Sequence, residues 1–214
     1  YTLKNNNIYH DSIKSSFLIN FEEINKNNFP ETLKNYNFLL ESELLPFISY
    51  PYEWTFDQLK DAALHHLNFQ IFLLNKNCVL RDASAFNIQF IKGKPIFIDI
   101  LSLKKYEDGE YWIGYKQFCE NFLNPLLLGH LKSINHNDFF RGALEGLETI
   151  KLNNILSLKN KLSFNTFIHV VLQAKLLKKD IENPHLTRDK KKKLKKFNKK
   201  SYLFLLNQLK SWIE

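Results

Sequence analysis

The stretch Leu80-Arg81-Asp82-Ala83-Ser84-Ala85-Phe86-Asn87 runs into a short apolar segment, Ile88 to Ile91. The turn Lys92-Gly93-Lys94 and a second run, Pro95 to Asp99, follow. Two Ile- and Phe-rich segments on either side of a turn with Gly at its centre predict a β-hairpin entered through a polar loop. With Gly93 as the centre, Asn87 falls opposite Asp99, and opposite residues of an antiparallel pair have Cα atoms about 4.5 to 5.5 Å apart. Asp82 lies five residues before Asn87, at the same end of the hairpin. One patch then holds two carboxylates and a carboxamide, a donor set suited to a hard cation and a polar reaction.

The chain around this patch reads as α+β and mostly helical. The first fifty residues are polar and Asn-rich, with a strand expected near Ile8 and Tyr9 and helical patterning from Phe17 to Leu44 that Pro30 breaks. Thr55 and Gln58 form a capping-box pair. They open a helix whose apolar face is Leu59, Ala63, Leu67, Ile71 and Leu74, ending near Asn75 to Asn77. Further helices are expected over Tyr111 to Leu131, broken at Pro125, over Asp138 to Thr149, over Phe164 to Lys179 and from Ser201. The division is 1–50, 51–180 and 181–214. At 214 residues, 44% apolar and with 19 Phe, the chain can bury a core of ordinary domain size.

Several classes are set aside by what the residues lack. Apolar runs are short and interrupted by charge, so no transmembrane segment is expected. No secretory leader opens the sequence, and the setting is read as cytoplasmic. Cys78 and Cys119 are too far apart for a C-x-x-C site, and two reduced thiols are expected. His65 and His66 have no Cys or carboxylate at ligand spacing. No Gly precedes Gly93, so there is no glycine-rich phosphate loop ahead of the hairpin.

Arg81, Asp82 and Asn87, at the spacing R-D followed by four residues and Asn, with Asp99 beyond the hairpin, resemble the catalytic core of protein-kinase-like phosphotransferases, including the aminoglycoside phosphotransferase branch. The resemblance implies a kinase-like larger lobe after a reduced or truncated N-terminal lobe. It implies ATP and Mg2+ as cofactors, with Asp82 taking a proton from an acceptor hydroxyl and Asn87 and Asp99 holding the metal on the nucleotide phosphates. Tyr50 and Tyr52 would lie in the hinge between lobes and contact the nucleotide. The chain departs from the family at Leu80 in place of His, at Ser84 in place of Lys, and at Ile100-Leu101 after Asp99.

Four strings together resemble bacterial proteins in which such a region precedes a SAM-dependent methyltransferase domain. They are Pro46 to Trp54, Leu59-Lys60-Asp61-Ala62-Ala63, Asp82 to Asn87, and Tyr115-Lys116-Gln117-Phe118-Cys119. The leading expectation is Mg-ATP-dependent phosphoryl transfer to a hydroxyl of a small molecule or glycan. The alternative is a pseudokinase that serves as a binding or scaffolding domain for an attached methyltransferase. A third reading rests on charge: Arg188 to Lys200 holds nine basic residues and one acid, a surplus equal to the formal net charge of +8. Such a run would attract an anionic partner, whether nucleic acid, lipid or glycan.

Overall fold

The computed structural model describes residues 7–182 and 197–214. Its centre is helix α2 (Phe56–Asn75), with the predicted capping box in place: Gln58 N–H donates to Thr55 Oγ1 at 3.1 Å and Thr55 N–H to Gln58 Oε1 at 2.9 Å. Leu59, Ala63, Leu67 and Leu74 are buried and Ile71 is half-buried. Ala62, His66, Phe69, Gln70 and Leu73 are buried as well. α2 is packed on several sides, by the hairpin, by the helix that follows Gly114 and by the last helix, so more than one stripe leaves water.

Among the described residues strands come in three antiparallel pairs: β1 (Phe21–Glu23) with β2 (Leu40–Ser42), β3 (Cys78–Leu80) with β6 (Leu103–Lys105), and β4 (Ile88–Ile91) with β5 (Lys94–Phe97). The β4–β5 hairpin is present, but its centre lies between Lys92 and Gly93. Both have positive φ, 51° and 76°, as a two-residue type I′ turn requires. The register therefore pairs Ile91 with Lys94 and Ile88 with Phe97. It continues with Ile98 N–H donating to Asn87 O at 2.9 Å, so Asn87 faces Ile98, one residue short of the expected Asp99. The free edge of β5 is covered by Phe17 to Ile19, with Phe97 N–H on Phe17 O at 3.0 Å and Ile19 N–H on Phe97 O at 2.9 Å.

The N-terminal part differs from its sequence pattern. Ile8 and Tyr9 open a helix, α1 (Ile8–Lys14), rather than a strand, because Ile8 and Ser12, one turn apart, are both buried and Ser12 Oγ donates to Ile8 O at 2.7 Å. The helical patterning of residues 17–44 gives only the β1–β2 pair and two 3₁₀ turns, Lys26–Asn28 and Glu31–Leu33. Asn25 caps the first of these turns through its own side chain. Such local competition with the backbone is what disfavours Asn inside helices. Tyr36, Phe38 and Leu44 remain exposed.

The described residues beyond β6 are mainly helical. α3 (Tyr115–Phe118) and α4 (Asn124–Lys132) form one helix over 115–132 through a π-helical stretch, Cys119–Leu123. The expected break at Pro125 is absent, and the π stretch supplies the reason. Asn124 N–H reaches back five residues to Cys119 O, and Pro125 has no N–H to give Glu120 O. That carbonyl accepts from Leu147 N–H at 2.9 Å instead. A single helix over Asp138 to Thr149 is not formed. α5 (Asn137–Gly142) and α6 (Thr149–Ile155) are separated by a loop in which Gly146 has φ 80°. A Cβ at Gly146 would stand 2.3 Å from Glu120 O, so the loop approaches as close as only Gly permits.

α7 (Leu158–Lys161) leads to α8 (Phe164–Thr166) and α9 (Gln173–Glu182), joined by a second π stretch, Phe167–Leu172. α10 (Lys199–Ile213) returns across α2 and buries Tyr202, Leu206 and Leu209. One hydrophobic cluster draws on Ile8 and Leu18, on α2 and the hairpin, and on α10. The fold is α+β, mostly helical, with small antiparallel sheets. Among the described residues no helix is long and apolar enough to cross a membrane. Of the basic run Arg188 to Lys200, residues 188–196 lie outside the described residues.

Candidate functional site

α2 and β3 deliver the chain to Asp82. Gln70, fully buried in α2, accepts Leu80 N–H at 2.9 Å through Oε1. β3 pairs with β6, and Arg81 N–H donates to Ser102 O at 2.8 Å. Asp82 N–H then donates to Ser102 Oγ at 3.1 Å. Beyond it the backbone is held by two amide side chains of the helix over 115–132. Gln117 Oε1 accepts Ala83 N–H at 2.8 Å, and Asn121 Oδ1 accepts Ala85 N–H at 3.0 Å. Ser84 caps a 3₁₀ turn, Ala85–Asn87, that reverses the chain into β4. Ala83 and Ala85 are buried while Asp82 is exposed, so the loop alternates inward and outward.

Asp99 caps the turn Ile100–Ser102, its Oδ1 accepting Leu101 N–H at 3.0 Å. Its Oδ2 lies 3.4 Å from Asn87 Nδ2. The one-residue shift in register does not separate the two side chains. Ser102 ends the turn that Asp99 caps and receives the Asp82 N–H, so the three sequence-predicted polar residues are joined by one short network. Turning the Asn87 amide by 180° exchanges Nδ2 for Oδ1 and presents two oxygens to a cation. That donor set suits Mg2+, which binds one or two protein oxygens and fills its remaining positions with water and phosphate. Among the described residues no group of three or more His, Cys, Asp or Glu is arranged to hold a metal, so any ion here would depend on a ligand for the rest of its shell.

The aromatic segment adjoins the loop. Tyr50 and Tyr52 stack with centroids 5.2 Å apart and planes 10° apart, and Tyr50 meets Phe86 at 6.5 Å. Gln89 of β4 fixes the approach: its Oε1 accepts Ser49 N–H and its Nε2 donates to Ser49 O, both at 2.9 Å. Glu53 Oε2 accepts Tyr50 N–H, and Asn137 Nδ2 donates to the carbonyls of Tyr52 and Trp54. Trp54 packs edge-on against Phe90. Amide side chains therefore do much of the positioning. Gln70, Gln89, Gln117 and Asn121 were not picked out by the sequence, although Gln117 lies inside the Tyr115–Cys119 string.

The remaining chemistry-bearing residues lie in packed surroundings. His66 is fully buried against Phe97, Trp112, Phe118 and Phe122. Burial holds its pKa down to about 3. His65 Nε2 meets Phe17 O at 3.0 Å. Both cysteines are free and buried, and burial pushes the Cys119 thiol up to about 12, which keeps it unreactive. The β1–β2 pair sets Glu22 directly across from Glu41. A cleft of about 360 Å³ between α2, α4 and α10 is lined by Phe56, Leu126, Leu127 and Trp212, away from Asp99.

No family model and no solved structure matches the chain. It is similar to the nodulation protein NoeA of Rhizobium meliloti (strain 1021), with 42% identity over 175 residues. The match covers 82% of this chain but 37% of that protein, so the chain spans little more than a third of the relative's length.

Proposed function

We propose that this chain is a protein-kinase-like domain that transfers a phosphoryl group from Mg-ATP to a hydroxyl of a small molecule or glycan, in the cytoplasm. The observation that carries the reading is the approach of Asn87 to Asp99 at 3.4 Å at the mouth of the hairpin, with Asp82 exposed on the loop that enters it. The order of parts supports it too: a buried helix, a strand, an Asp loop, a hairpin and a second Asp follow one another as in the resembled phosphotransferases. Asp82 would accept the proton of the attacking hydroxyl. Asn87 and Asp99 would hold Mg2+, which when bound offsets charge on the phosphates. The stacked Tyr50 and Tyr52 would flank the nucleotide.

A second reading is favoured by a specific feature. No Gly precedes Gly93, and the strands described ahead of α2 set Glu22 against Glu41, where a phosphate cover would need N–H donors and cations. A catalytically inactive domain that serves as a scaffold for an attached SAM-dependent methyltransferase would keep the fold without turnover. Calorimetry with ATP, with and without Mg2+, separates the two. On the first reading Asp99→Asn keeps the cap on Leu101 N–H but loses Mg-dependent binding. Asp82→Asn keeps binding and slows transfer by about 10²- to 10⁴-fold. A wild type that binds no ATP in Mg2+ selects the scaffold.

A further inference from the structure

We propose that Gln117 and Asn121 are positioning residues for the loop that carries Asp82 and Asn87, a role that rests on the phosphoryl-transfer reading. The geometry is a match of two repeats. Alternate residues of an extended segment lie about 6.5 Å apart on one side, and side chains four apart on a helix lie about 5 to 6 Å apart on one face. Gln117 and Asn121 are four apart, and Ala83 and Ala85 are two apart with Ser84 extended between them (φ −73°, ψ 135°). The amide oxygens therefore take both inward N–H groups, at 2.8 and 3.0 Å. With the odd-numbered residues drawn in, the even-numbered Asp82 is turned out to solvent.

The loop lies close against the helix that carries both amides. A Cβ at Gly114, one turn before Gln117, would lie 3.1 Å from Ala83 Cβ and 3.4 Å from Ala83 N, so the loop lies directly against the helix start. Asn121 also donates through Nδ2 to Glu145 O at 3.0 Å, which fixes its amide so that Oδ1 faces Ala85. Gln117 is half-buried and can be varied without opening the core.

The test compares Gln117→Leu, Gln117→Glu and Asn121→Leu in the full chain. It reads hydrogen exchange at the Ala83 and Ala85 amides by NMR and Mg2+-dependent affinity for AMP-PNP. Removing the acceptor should speed exchange at Ala83 in Gln117→Leu, and at Ala85 in Asn121→Leu, roughly 5- to 10-fold while the amides of 115–132 stay protected. Affinity for AMP-PNP should fall by a similar factor. Gln117→Glu, which keeps an acceptor, should restore both readouts, and this pair decides the matter if Asn121→Leu does not fold. Unchanged exchange at Ala83 in Gln117→Leu, faster exchange spread along the helix, or no rescue by Gln117→Glu would overturn the proposal. Raised exchange with unchanged affinity sinks the positioning role alone, whereas a wild type that binds no AMP-PNP sinks the phosphoryl-transfer reading beneath it.

Discussion

Replacing Gln70 by Leu tests how the strand that feeds Asp82 is held. Arg81 N–H points to the β6 side, to Ser102 O at 2.8 Å. By the alternation of a strand, Leu80 N–H points away from β6, to the side where no other strand pairs with β3 among the described residues. Gln70 Oε1 fills that place at 2.9 Å, and its Nε2 donates to Tyr202 Oη at 2.6 Å. Leu80 and Tyr202 are each 1% exposed, so water cannot replace the lost partner. A buried N–H left unpaired costs about 1 to 3 kcal/mol. With a further loss of about 1 kcal/mol at the tyrosine, Gln70→Leu should destabilise the fold by about 2 to 4 kcal/mol. At about 2 to 4 °C per kcal/mol for a chain of this size, Tm should fall by roughly 5 to 15 °C. Urea denaturation of Gln70→Leu, Tyr202→Phe and the double variant supplies the measurement. The double should lose less than the sum of the singles, because Phe removes the hydroxyl that Leu strands. A loss under about 0.5 kcal/mol in Gln70→Leu, or strict additivity, would refute the reasoning.

Two further outcomes follow from the core. His66 is held neutral by burial, with its pKa lowered from 6.5 to about 3. The unfolded chain therefore binds a proton that the folded one refuses, and stability, intact above pH 6.5, falls by up to about 1.4 kcal/mol per unit as pH drops toward 3. His66→Phe should flatten that dependence in urea midpoints measured between pH 7 and 4.5, and an unaltered slope would sink the idea. Gly146→Ala forces a Cβ to within 2.3 Å of Glu120 O at a positive φ. With strain above about 1 kcal/mol and the Leu147 to Glu120 bond lost, calorimetry should show a destabilisation of roughly 2 kcal/mol; a neutral substitution would mean that the loop does not cap the π stretch.

The sequence by itself determined what local chemistry can decide. Thr55 and Gln58 fixed the start of α2 because a capping box closes within one turn. The two apolar runs around Lys92-Gly93 fixed a hairpin because β-formers on either side of a tight turn pair with each other. The proximity of the three polar residues of the candidate site was legible for the same reason: Asp82, Asn87 and Asp99 lie within eighteen residues of chain. The register was not, because Lys92 adopts a positive φ that its residue type disfavours, which moved the centre of the turn by half a residue. Tertiary structure decided that Ile8 and Tyr9 join a helix, since Ile8 is drawn into the common core; over residues 17–44 local chemistry contributes as well, Asn25 capping a 3₁₀ turn through its own side chain. Tertiary structure also decided which amides matter. Gln70, Gln89, Gln117 and Asn121 are ordinary polar residues in the chain, and their partners lie 10 to 132 residues away. An amide side chain accepts from any N–H that packing brings to it, and only the fold sets which one arrives.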